Sequence, residues 1–207
     1  MTYSIIGIDK EKDMLGIAVV SGSIAVGSRV PWVRYGIGGV ATQAYTNPAL
    51  GPIILKLLKE GLNPREALEK ALASDKMREY RQVAVMNWDG KSAFYCGKMI
   101  PKEYAAYQSK NSVAIANLVV SKEIPKIMCD VFENTISIGL DEALLRAIEE
   151  AHLMGGDKRG DHSAAIIIVG KTEYAPYYDK VIDLRIDYSK DPVDKLKAIY
   201  GRIKKTK

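Results

Sequence analysis

Residues 2–21 read Thr-Tyr-Ser-Ile-Ile-Gly-Ile-Asp-Lys-Glu-Lys-Asp-Met-Leu-Gly-Ile-Ala-Val-Val-Ser. Two short apolar runs, Tyr3–Ile8 and Leu15–Val20, flank the polar stretch Asp9–Asp13. Short apolar runs rich in β-branched residues are typical of strands buried on both faces. The connection between them is short enough for a hairpin. After the small-residue loop Ser21–Ser28, Val30–Arg34 and Gly36–Thr42 read as two further strands around Tyr35-Gly36. The chain therefore opens on a block of strands.

Helices follow. Asn47-Pro48 is a helix-start signal, with Asn47 as N-cap and Pro48 at the first helical position; the helix is expected to run to Glu60 and stop at Gly61. Asn63-Pro64 repeats the device and predicts a second helix to Ser74, with Ala67, Leu68, Ala71 and Leu72 on one face. Gln82–Asn87 and Ser92–Cys96 predict strands about the Asp89-Gly90 turn, and Val113–Asn117 another. Ser121–Glu133 and Ile138–Leu153 read as amphipathic helices. Beyond the glycine- and charge-rich loop Gly155–Asp161, His162–Val169 and Val181–Ile186 read as strands and Asp191–Ile203 as a terminal helix. Strands in blocks argue for an α+β fold built on antiparallel hairpins, not an alternating parallel one. No linker, repeat or low-complexity stretch divides the chain, so one domain over residues 1–207 is expected.

Composition narrows the function classes. With 207 residues and 47% hydrophobic content the chain can bury a sizeable core. No apolar run approaches the ~20 residues of a membrane span, and the first residues lack a signal-peptide pattern, so a cytoplasmic protein is expected. Cys96 and Cys129 are then read as free, buried thiols. The net charge of +5 owes +4 to Arg202, Lys204, Lys205 and Lys207. That fringe reads as a solvated helix end, and nothing interleaves aromatic with basic residues as a nucleic-acid surface would.

Several motifs are set aside. Gly22–Arg29 and the Gly170-Lys171-Thr172 ending mimic a phosphate loop, but the first has no lysine and the second no glycine loop. His152 and His162, with Asp157 and Asp161, fit no standard zinc spacing, so neither metal nor other cofactor is expected. No Gly-x-Ser-x-Gly elbow occurs. Position 2 is more informative. Threonine is small enough for cytosolic processing to remove Met1, leaving an α-amine and a hydroxyl on one residue. The amine's ordinary pKa of about 7.7–8 suits it as general base for that hydroxyl. Many chains also begin Met-Thr with no such meaning.

The order of elements resembles the N-terminal-nucleophile (Ntn) hydrolase superfamily. Thr2-Tyr-Ser-Ile-Ile, Ala25-Val-Gly27, Val30-Pro-Trp32, Gly39-Val-Ala-Thr-Gln-Ala44, Asn47-Pro48, Gly51-Pro52, Arg81-Gln-Val83, Gly155-Gly-Asp-Lys-Arg-Gly-Asp-His-Ser-Ala164 and Asp183-Leu-Arg185 together resemble an uncharacterised bacterial and archaeal domain-of-unknown-function family of that superfamily. Where the family shows Gly-Asn-Met, this chain has Ala116-Asn117-Leu118, and the larger residue is expected to narrow any pocket lined there.

The resemblance implies a four-layer αββα sandwich, two mainly antiparallel sheets between helix layers. It implies Thr2 as nucleophile and, through its amine, base. Ser21 is expected to face it. Arg29 or Arg34 stands in for a pKa-lowering lysine, with both as surface residues the competing reading. Thr42, Gln43 and Ala44 offer oxyanion N–H groups, aided by the Asn47 helix. Ser163 is expected to bond the α-amine and Asn117 to add an amide. Asp157 and Arg159 either pair as a structural turn or present Arg159 to a substrate carboxylate; Trp32 and Asn47 complete the expected substrate contacts. The implied reaction is hydrolysis of a small amide or peptide-like substrate. A ligand- or partner-binding sandwich without catalysis, and a homodimer through exposed helices, are the other expectations.

Overall fold

The computed structural model describes residues 2–101 and 103–206; the expectations for Met1 and Lys207 lie outside the described residues. The chain begins with the strands β1 (Thr2–Asp9), β2 (Met14–Ser21), β3 (Pro31–Arg34) and β4 (Gly38–Ala44), then the helices α1 (Leu50–Lys59) and α2 (Pro64–Ala73). Four strands follow, β5 (Arg81–Asn87), β6 (Ser92–Cys96), β7 (Tyr104–Gln108) and β8 (Ser112–Asn117), then α3 (Ile124–Thr135) and α4 (Leu140–Leu153). The strands β9 (Ser163–Gly170) and β10 (Lys180–Ile186) and the helix α5 (Pro192–Thr206) end the chain.

One sheet runs β10-β9-β2-β1-β8-β7 and the other β3-β4-β5-β6, with every neighbouring pair antiparallel. Helices α3, α4 and α5 cover the outer face of the larger sheet, where Tyr3, Ile5 and Val20 meet Met128, Phe132 and Ile148. Helices α1 and α2 cover the smaller sheet, where Val40, Val83 and Val85 meet Ile54, Leu68 and Leu72. Between the sheets lie Ile6, Leu15 and Ile17 against Ala41, Ala84 and Met86. The architecture is the expected α+β four-layer αββα sandwich. Each fully buried Ile, Leu or Val of these layers contributes about 1.5–3 kcal/mol.

Period-two alternation decides what faces the inter-sheet layer. On β1, Ile6 and Ile8 point inward while Tyr3 and Ile5 pack under the helices, so Thr2 and Ser4 share the inward face. On β2, Leu15, Ile17 and Val19 point inward, and Ser21 continues that row. The same count puts Gln43 of β4, Gln82 of β5 and Asn117 of β8 on the inward face. The inter-sheet layer is thus apolar along most of its length and polar at one end.

Local departures have local causes. The expected helix start at Pro48 is displaced to Leu50, because the Asn47 side chain accepts from Ala49 N at 3.2 Å in a turn before the helix. Asn47 is therefore not an N-cap. Asn63 is one, in a full capping box with Glu66. Gly139, at φ 149°, separates a 3₁₀ turn (Ile136–Ile138) from α4 and moves the start of the helix expected over Ile138–Leu153 to Leu140. Strand β7 was not expected: Tyr-Ala-Ala-Tyr-Gln is half-buried at a sheet edge and alanine is a poor strand former.

Candidate active site

Thr2 begins the central strand of the larger sheet, in register with Ser21 on one side and Asn117 on the other. Its hydroxyl lies 3.1 Å from Ser21 Oγ, which also accepts Ser23 N at 3.0 Å. The Thr2 carbonyl accepts Gln43 Nε2 at 3.0 Å. That amide is one member of a buried chain: Ser4 Oγ donates to Gln43 Oε1 at 2.7 Å, and Gln43 Nε2 and Asn117 Nδ2 donate to Gln82 Oε1 at 2.8 and 3.0 Å. Gln82 Nε2 donates in turn to the carbonyls of Ala105 and Ala116 at 3.1 and 3.0 Å. In a low-dielectric interior such a satisfied chain fixes its members, because each broken bond would strand a buried polar group.

A cleft of about 280 Å³ is lined by Thr2, Ser21, Ser23 and Arg29. Val30, Ala44, Tyr45 and Thr46 complete its lining. Arg29 caps the 3₁₀ turn Val26–Ser28; its Nη2 donates to Ile24 O at 3.0 Å and its carbonyl accepts Trp32 Nε1 at 3.0 Å. Thr42 N donates to Val30 O at 3.1 Å, which places that N–H on the edge of β4 away from β5. By alternation the Ala44 N–H shares that edge, beyond the end of β3. Ala44 itself sits at φ 67°, a conformation that costs a non-glycine residue strain and that clusters at functional sites.

The Tyr45–Thr46 wall is clamped from behind. Arg81 donates through Nε and Nη2 to Asp75 at 2.9 and 3.2 Å and through Nη1 to the Tyr45 carbonyl. Asn47 Nδ2 adds a bond to Asp75 at 2.9 Å, and Thr42 Oγ1 bonds the Asn47 carbonyl at 3.3 Å. The Arg81 hydrogen bonds, helped by Asn47 and opposed by burial, hold the Asp75 carboxyl down at about 2.

The Gly155–Asp161 loop braces the other wall. Asp157, fully buried in its side chain, accepts Gly22 N at 2.7 Å and holds the Arg159 guanidinium at 3.1 and 3.2 Å. A Cβ on Gly22 would lie 2.7 Å from Asp157 Cγ, so only glycine permits this approach. Asp161 takes the Tyr3 hydroxyl at 2.6 Å, His152 Nδ1 at 2.7 Å and Asp157 N at 3.1 Å. Burial, then the Asp161 charge, hold the Tyr3 phenol well above its ordinary value, so it stays a donor.

Larger clefts, of about 420 and 400 Å³, lie elsewhere. One is floored by the α4–α5 ion pairs Lys197–Glu149 and Lys204–Glu142. The other sits by Asp9–Lys12, at the opposite end of β1 from Thr2. Neither is lined by Thr2 or Ser21.

With this geometry in place, the comparisons are specific. The family described as "Family of unknown function (DUF1028)" matches residues 2–196. The chain belongs to the DUF1028 family. The crystal structure of the DUF1028 protein SPO2555 from Silicibacter pomeroyi is similar at TM-score 0.87 and 26% identity, over 97% of this chain and 88% of that one. Anbu (ancestral beta-subunit) from Yersinia bercovieri is similar at TM-score 0.45 and 12% identity, over 98% of this chain and 94% of that one. No curated protein matches the chain significantly.

Within this DUF1028 chain, the structure brings Thr2, Ser21, Gln43 and Asn117 together, with Arg29 on the cleft wall. Of the two arginines weighed, Arg29 lines the cleft, though from the 3₁₀ turn and not from a strand; Arg34 is exposed on β3 opposite Gly38. Ser163 is turned elsewhere: its hydroxyl donates to Ser23 O at 2.5 Å and accepts Val26 N at 3.2 Å. Trp32 packs on Gly51 of α1 and lines a different cleft. Asn47 acts on Asp75, behind the wall. Arg159 and Asp157 pair with each other. Ala116 packs among the α3 side chains and narrows nothing over Thr2. Cys96 is half-buried, not buried; burial raises its thiol and Gln82 Nε2 bonds it at 3.3 Å. Sequence reasoning missed Ser4, Gln82, Ser23 and the Tyr45–Thr46 wall, of which Ser4 and Gln82 were readable from strand alternation.

Proposed function

We propose that this protein is an Ntn-type amide hydrolase whose nucleophile is Thr2, exposed by removal of Met1 in the cytoplasm. The observation that carries the reading is the Thr2 hydroxyl, 3.1 Å from Ser21 Oγ at the floor of a cleft, on a backbone pinned by Gln43. The α-amine takes the Thr2 hydroxyl proton as Oγ1 attacks the amide carbonyl. The C–O bond forms, and the developing oxyanion is met by the Ala44 N–H, the one of the three expected donors aimed past the end of β3. The amine returns the proton to the leaving nitrogen, the C–N bond breaks, and an ester remains on Thr2. Water, deprotonated by the same amine, then releases the carboxylic acid. Arg29, a cation on the same cleft, favours the neutral amine over its ammonium form.

The sandwich and the family resemblance support this reading, although fold alone carries no chemistry. A ligand-binding protein is the second reading. It is favoured by one observation: the Thr2 side chain is already bonded and the residue is 5% exposed. The two are separated with an electrophilic threonine-directed probe and an amide library. Labelling at Thr2 and turnover that vanishes in Thr2→Ala support the hydrolase; turnover that survives in Thr2→Ala refutes it.

A further inference from the structure

We propose that the Thr2 cleft takes a small amide that bears a carboxylate, and that Arg29 is the residue that holds it; this rests on the hydrolase reading above. Among the side chains lining the cleft Arg29 alone carries a charge, and no carboxylate lines it. The other arginines near its walls are neutralised. Arg81 is spent on Asp75 in an ion pair whose side chains are each 7% exposed, and Arg159 on Asp157. Among the described residues Arg29 forms no ion pair, and its guanidinium has a bond to the Ile24 carbonyl. A guanidinium has five donors in a planar fork that matches a carboxylate's two oxygens.

The arm is also preorganised. Arg29 N bonds Val26 O at 3.3 Å, its carbonyl is held by the Trp32 indole and its Nη2 by Ile24, so little freedom is lost on binding. Ser23 and Thr46 line the same cleft, and their hydroxyl groups can each donate or accept. A cationic substrate would meet Arg29 with like charge and no compensating acid. At about 280 Å³ the cleft is at the small end for ligand sites, which suits an amino-acid-sized amide and not a polymer.

The test separates recognition from chemistry by reading binding in Thr2→Ala protein, which cannot turn over. Titration calorimetry compares N-acetylglycine with N-acetylglycinamide, and succinamate with succinamide, so that the carboxylate is offered on either side of the amide. The proposal expects at least one carboxylate to bind about tenfold or more tighter than its neutral partner. Arg29→Gln should collapse that ratio to within about twofold, and Arg29→Lys should keep only part of it. Equal binding within both pairs, or a preference that survives Arg29→Gln, overturns the proposal. A carboxylate preference in a wild-type protein that retains Met1 and hydrolyses nothing would instead sink the nucleophile reading and leave the anion site standing.

Discussion

At position 2 the proposed chemistry and the fold ask for different things from one residue. The strand asks for a β-branched side chain, which threonine is. The reaction asks for a hydroxyl and a free amine on the same atom framework. Thr2→Ser keeps the second and should retain turnover, while Thr2→Ala should abolish it with the unfolding midpoint little changed. Turnover of the wild type should rise with pH through the amine's range, about 7.7–8 or below it, because only the neutral amine accepts the proton. A flat profile from pH 5 to 9 would argue against the amine as base. Gln43 carries the structural half of the site. Its replacement by Leu leaves Ser4 Oγ and the Thr2 carbonyl without this partner in a buried layer, and should cost about 2 kcal/mol in chemical denaturation. A loss within about 0.5 kcal/mol would mean the chain of amides is not cooperative. Thr2 and Gln43 could be read as candidates from sequence; the Gln43–Gln82 contact could not, because it joins residues of different strands whose pairing sequence leaves open.

Between elements, two contacts tie the α1–α2 layer to the smaller sheet. The Asp75–Arg81 pair ties the turn after α2 to β5 and to the Tyr45 carbonyl. Asp75 titrates at about 2 in the folded protein and near its ordinary value when unfolded. Its contribution is therefore fully present above about pH 4 and is lost as pH falls toward 2. The fall in unfolding free energy between pH 5 and pH 2 should be smaller by about 1–2 kcal/mol in Asp75→Asn than in wild type; equal slopes would show that the pair does not titrate on unfolding. The second contact is α1 on β3. A Cβ at Gly51 would sit 2.2 Å from Trp32 Cγ. Alanine would gain about 1 kcal/mol of helix propensity there, but the indole is held by Arg29 O and cannot retreat, so overpacking of about 1–3 kcal/mol should dominate. Stabilisation of Gly51→Ala would show that Trp32 moves freely. Local signals served well here where they were self-contained: the Asn63-Pro64 start signal marked α2 correctly. Asn47 misled because its side chain bonds both the turn and Asp75, a partner distant in sequence.

Over the whole molecule, blocks of short apolar strands were enough for an α+β class built on antiparallel hairpins, and the four-layer αββα sandwich was implied by the family resemblance. Sheet order was not legible. That β2 joins β9, and β1 joins β8, depends on long-range pairings that no local pattern encodes. The same pairings make the site, since they set Thr2 between Ser21 and Asn117 at the polar end of an otherwise apolar layer. Among the described residues no helix is long and apolar enough to cross a membrane. The central claim is that Thr2 works as an N-terminal residue, and the intact mass of the untagged, cytosol-expressed protein tests it most directly. The account predicts a mass lighter by one methionine, with Thr2 as the first residue of the folded protein. A folded protein that keeps Met1 attached would contradict it.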